Sequence, residues 1–68
     1  MRKTYTSREI IQMLRQDGWQ LDRARGDHQQ FKHPVKKGLV TVQHPVKDLS
    51  IFVVKSIFKQ AGWVTKRG

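Results

Sequence analysis

The sequence contains no cysteine in its 68 residues. That excludes a disulfide framework and any thiolate metal site, and it permits a reducing compartment. Acidic residues are also scarce, five against fourteen lysines and arginines, for a net charge of +9. Long apolar runs are missing too. The longest, Ile51 to Val54, is far too short to span a bilayer. The polar opening Met1-Arg2-Lys3-Thr4-Tyr5 has no apolar region behind it, so it does not read as a signal peptide, and a cytoplasmic location is expected. What remains is one small, strongly basic domain over residues 1–68. Such a field favours nucleic acid, an anionic membrane or an acidic protein as partner.

A chain this short must draw its core from a few large side chains. The candidates are Trp19, Phe31, Phe52, Phe58 and Trp63, with the scattered Ile, Leu and Val. Thr6-Ser7-Arg8-Glu9 reads as a capping box, and Ile10, Ile11 and Leu14 then fall on one helical face. Gly18 stops the pattern and is placed to turn Trp19 back onto Leu14, giving a helix from about Ser7 to Asp17. From Trp19 the period changes to two, and strands are expected over 19–24, 28–33 and 38–43.

The strand register can be argued from the apolar positions. A two-residue turn at Gly26-Asp27 would set Leu21 opposite Lys32, whereas a three-residue loop Arg25-Gly26-Asp27 pairs Leu21 with Phe31. The second loop, Pro34 to Lys37, then pairs Phe31 with Val40 and His28 with Gln43. Leu21, Phe31, Val40 and Val42 are expected on the core face, and Asp22, His28, Gln30, Lys32, Thr41 and Gln43 on the other. In this register Arg23 does not share the face of His28.

The segment from Ser50 to Ala61 is rich in β-branched residues, but Val54, Ile57, Phe58 and Ala61 keep helical spacing and Ser50 supplies a cap. Its ending Lys59-Gln60-Ala61-Gly62-Trp63 repeats the pattern Arg15-Gln16-Asp17-Gly18-Trp19, so Trp63 is expected to fold back on Phe58. The fold class is α+β: helix, three antiparallel strands, helix, with both helices on one face of the sheet. The core spans residues 7–63, with a frayed tail at 65–68.

The candidate site lies in Gly26-Asp27-His28-Gln29-Gln30-Phe31-Lys32-His33-Pro34. Histidine is the side chain whose ordinary pKa lets it exchange a proton near neutral pH. Taken by itself, His28 reads first as a half-exposed, hydrogen-bonded histidine at a strand end. His33 and His44, each followed by proline, read as supports for turns. A three-histidine metal site is not expected, because His28 and His33 face opposite sides of one strand and few carboxylates lie near.

That stretch, with Val40-Thr41-Val42-Gln43-His44-Pro45-Val46-Lys47-Asp48-Leu49 and the ending Lys55 to Gly62, resembles the HicA (YcfA-like) family of bacterial toxins over nearly the whole chain, Ser7 to Trp63. The order and spacing of the motifs carry the resemblance. It implies a double-stranded-RNA-binding-domain-like fold and a ribosome-independent mRNA endonuclease, the toxin of a toxin–antitoxin pair, held inactive by a HicB antitoxin. It also implies that operator DNA is bound through the antitoxin rather than by this chain. His28 occupies the place of the family's catalytic histidine. Two neighbours depart from the pattern: Asp27 replaces a small polar residue, and Gln29 stands where a second histidine or an aromatic is common. An acid beside a histidine favours the imidazolium, which bears on the pH range of cleavage. The start Ser50-Ile51-Phe52 is less polar than the family's, which bears on the antitoxin contact.

RNA can be cut without a metal or cofactor because its own 2′-hydroxyl is the nucleophile. His28 would act as general acid or base. Arg23, Arg25 and Lys32 are the nearest cations, Gln30 or Gln43 would orient a phosphate oxygen, and Lys36, Lys37 and Lys47 would follow the RNA backbone. The second proton-transfer group is not identified: His33 has the wrong parity, and the direction of His44 depends on how its strand ends. The lysines also read as plain solvated surface. Two rivals stand beside the enzyme: a non-catalytic RNA-binding module of the same fold, and a cationic domain whose segment Ile51–Lys66 lies on anionic membranes.

Overall fold

The computed structural model describes residues 4–63. Its elements are α1 (Ser7–Gln16), β1 (Gln20–Arg25), β2 (His28–Lys32), β3 (Leu39–Gln43) and α2 (Ile51–Gln60). The expected α+β order is therefore observed. The tail expected to fray lies outside the described residues.

Both helices form for local reasons that the sequence displays. At α1 the Thr6 hydroxyl accepts from the Glu9 amide and the Glu9 carboxylate accepts from the Thr6 amide, satisfying two donors that a helix start leaves open. At α2 the Ser50 hydroxyl accepts from the Val53 amide. The two C-termini close alike. Gly18 (φ 102°) and Gly62 (φ 78°) take the left-handed conformation. Trp19 N then donates to Leu14 O at 2.9 Å and Trp63 N to Phe58 O at 2.8 Å, the outer bond of a Schellman motif in each case.

The sheet has the order β1-β2-β3, antiparallel throughout. Between β2 and β3 the pairing is as the apolar pattern requires, Phe31 with Val40 and His28 with Gln43. Between β1 and β2 the structure corrects the expected loop. The turn is the two-residue Gly26-Asp27, with Arg25 opposite His28, yet Leu21 still pairs with Phe31. A β-bulge between Leu21 and Arg23 takes up the extra residue, Asp22, inside the strand rather than in the loop. Gly26 at φ 59°, followed by an aspartate of negative φ, suits the two-residue hairpin turn that matches the strand twist.

The core lies between the helices and one sheet face: Ile10, Leu14, Trp19, Phe31, Val40, Val42, Leu49, Val54, Ile57 and Ala61 are all buried. Full burial of one such large side chain contributes about 1.5–3 kcal/mol, so this cluster dominates the stability of so short a chain. Trp63 meets Phe58 edge-on at 5.2 Å between ring centroids. Two expected core members are absent. Leu21 is 45% exposed, because the helices pack over β3 and leave β1 as an uncovered edge. Phe52 is 80% exposed, since it sits on the side of α2 away from Val54, Ile57 and Ala61.

Candidate nucleic-acid-cleaving site

The helices cover one face of the sheet and leave the other to solvent. Strand parity sends His28, Gln30 and Lys32 of β2 to the open face, with Thr41 and Gln43 of β3 beside them. The bulge decides β1. One additional residue reverses the facing of everything after it, so Arg23 pairs with Gln30 and Arg25 with His28 on the open face. The expectation that Arg23 points away from His28 is thereby overturned. Arg23, Arg25, His28, Gln30 and Thr41 line one hollow of about 280 Å³.

His28 is largely exposed, and its Nδ1 lies 3.1 Å from Asp27 Oδ1. The other oxygen of the same carboxylate accepts from Gln43 Nε2 at 2.9 Å. That hydrogen bond is the main cause that lowers the Asp27 pKa below the ordinary carboxylate value, burial opposes it, and the His28 charge adds to it. A solvent-facing imidazole beside two arginines of the neighbouring strand can exchange a proton with a bound group, while the guanidinium groups stabilise negative charge on a phosphate.

The remaining expected contacts are more scattered. Lys32 shares the open face, with its ammonium 3.7 Å from Asp22. Lys37 is exposed in the loop after β2, a strand whose far end lies about 13 Å from His28 at about 3.3 Å per residue. Lys36, expected among the RNA contacts, is engaged within the fold: its ammonium donates to Asp17 Oδ2 at 2.6 Å and to the Ala61 carbonyl at 3.0 Å. Lys47 lines a different and larger hollow, about 530 Å³, at the start of α1. That hollow is larger but lies away from the open face, and its serine and histidine bind each other.

Of the other two histidines, His33 supports a turn, as its proline neighbour suggests, and His44 is tied to the start of α1. His33 Nδ1 accepts from the amides of Val35 and Lys36, both at 3.0 Å, so Nε2 carries the ring proton and donates to the Asp17 carbonyl at 2.8 Å. His44 leaves the strand toward α1, where its Nδ1 lies 2.6 Å from the Ser7 hydroxyl. The same hydroxyl accepts from Val46 N at 2.8 Å. Neither ring joins the hollow around His28. Sequence reasoning missed Thr41 as a lining residue, although its pairing with Gln30 was legible. Of the two glutamines offered to orient a phosphate oxygen, Gln30 or Gln43, the amide of Gln43 is directed at Asp27.

Among the described residues no helix is long and apolar enough to cross a membrane. The family model for the HicA toxin of bacterial toxin–antitoxin systems matches residues 7–63. A comparison with curated proteins gives no match.

Proposed function

The chain belongs to the HicA toxin family and is thus the toxin of a toxin–antitoxin pair with a cognate antitoxin, and we propose that it acts as a metal-independent mRNA endonuclease with His28 as its general acid or base. The observation that carries the proposal is that His28 shares one hollow with two arginines of the neighbouring strand, Arg25 directly across the ladder from it and Arg23 across from Gln30. In the reaction the RNA 2′-oxygen attacks the adjacent phosphorus as a base takes its proton. The bond from phosphorus to the 5′-oxygen breaks, and an acid protonates that leaving oxygen. His28 performs one of these transfers. Arg23 and Arg25 stabilise the charge that builds on the phosphorane oxygens. Gln30 and Thr41 line the floor, and Lys32, Lys37 and Lys47 add salt-sensitive attraction for the RNA backbone.

The inhibitor is a HicB-type antitoxin, and an acidic contact surface on it suits a chain of net charge +9. Blocking translation by cutting mRNA in the cytoplasm is the outcome for the cell, a response suited to stress.

The test is induction of this chain beside His28→Ala, with growth and RNA integrity followed and extracts assayed in EDTA. Arrest with chelator-resistant cleavage by the parent, and none by a folded His28→Ala that still binds RNA, supports the enzyme. Equal behaviour of the two overturns it in favour of a binding module of the same fold.

A further inference from the structure

Beyond the histidine itself, the open face carries a short chain of polar contacts that ends on it. Gln43 Nε2 donates to one oxygen of Asp27, and the other oxygen faces His28 Nδ1. Which nitrogen of a neutral imidazole carries the proton is set by what its other nitrogen meets. A carboxylate beside Nδ1 favours the proton there and leaves the lone pair on Nε2. An unanchored Asp27 would have little hold, because exposed pairs of this kind contribute only modestly. Gln43 supplies the anchor. It lies directly across the ladder from His28, so the backbone register that builds the sheet also fixes the distance between them.

We propose that Asp27 and Gln43 are positioning residues for His28, with Gln43 fixing the Asp27 carboxylate and Asp27 fixing the ring and its tautomer so that Nε2 faces the substrate. The proposal rests on the cleavage reading above. It assigns Gln43 a role through Asp27 rather than on a phosphate. The order of action is testable, because a residue that acts only through another has no effect once that other is gone.

The experiment combines single-turnover RNA cleavage with side-chain NMR of His28 in the parent, Asp27→Ala, Asp27→Asn, Gln43→Ala and the Asp27→Ala/Gln43→Ala double variant. All four replace exposed side chains, and the main-chain bond from His44 N to Asp27 O stays available to each. Asp27→Ala is expected to lower kcat about two- to fivefold with KM nearly unchanged, as for loss of an exposed charged contact. Asp27→Asn, which keeps an oxygen near Nδ1, retains more of the rate. Gln43→Ala costs about two- to threefold alone and nothing in the Asp27→Ala background. In alkaline solution the ring proton of the parent sits mainly on Nδ1 and moves toward Nε2 in Asp27→Ala. Parent-like kcat in Asp27→Ala, an additive loss in the double variant, a loss confined to KM, or an unchanged tautomer each overturns the positioning role. If the parent cuts no RNA, the cleavage reading fails, and the tautomer measurement still decides the role of Asp27.

Discussion

Trp19 and Trp63, one just past each helix, donate their indole N–H groups to the same oxygen, Asp17 Oδ2, each at 3.0 Å. The Lys36 ammonium reaches that oxygen as well, at 2.6 Å, and extends to the last carbonyl of the α2 cap. One carboxylate therefore ties together the ends of both helices and the loop between β2 and β3. The repeated Gly-Trp endings close their own helices locally; Asp17 joins them to each other.

This junction has a pH dependence of known sign. Hydrogen bonding by Lys36, then by Trp63, lowers the Asp17 pKa from 3.8 to about 2, against an opposing effect of burial. A carboxylate with a depressed folded pKa adds stability that is fully present above its unfolded value and is lost as pH falls through the folded one. Asp17→Ala is expected to cost about 2–3 kcal/mol, because three donors lose their acceptor. Urea melts near pH 5 and near pH 2 check both points: the gap between parent and variant narrows at the lower pH.

Two glycines with positive φ should respond differently to substitution. At Gly18 (φ 102°) an added Cβ would come 2.8 Å from His33 Nε2, the nitrogen that bonds Asp17 O. Gly18→Ala is expected to cost more than about 1 kcal/mol, from backbone strain and the displaced ring. Gly26 (φ 59°) has open space around it, and asparagine tolerates that region, so Gly26→Asn should shift the thermal midpoint little. Thermal melts of the two variants decide it.

The basic residues should separate into two classes. Arg25→Ala and Arg23→Ala are each expected to weaken RNA binding and reduce the salt slope by about one, with stability nearly unchanged. Lys36→Ala should do the reverse, lowering stability by about 1–2 kcal/mol and leaving the slope alone. Binding titrations over a range of salt, run beside denaturant melts, read both quantities.

Ser7 is almost fully buried, and its hydroxyl joins Val46 N to His44 Nδ1. Ser7→Ala leaves both partners without it and is expected to cost about 1–3 kcal/mol. RNA cleavage per folded molecule should stay at the parent level, since neither group faces His28. A loss of single-turnover rate in folded Ser7→Ala would place His44 in the chemistry instead.

Much of the architecture was legible because it is local. The capping box at Thr6, the glycine stops at Gly18 and Gly62, and the helical spacing of Val54, Ile57 and Ala61 depend on residues a few positions apart. The β2–β3 register followed from apolar alternation, because a slip by one residue would bury Thr41 and expose Val40 and Val42. Leu21 and Phe52 misled for one reason: an apolar residue states that burial would be favourable, while only packing determines whether another element covers it.

The sequence by itself determined a basic α+β domain with a histidine at the head of its second strand, since charge, periodicity and turn chemistry are local and additive. Tertiary structure decided which residues surround that histidine. The extra residue can sit in the turn or at any position between Leu21 and the turn without disturbing the apolar pairing of Leu21 with Phe31, so the sequence does not reveal where it lies. Its position alone turned Arg23 and Arg25 toward His28. The junction on Asp17 is of the same kind, because it depends on where the two helix ends meet across the packed core.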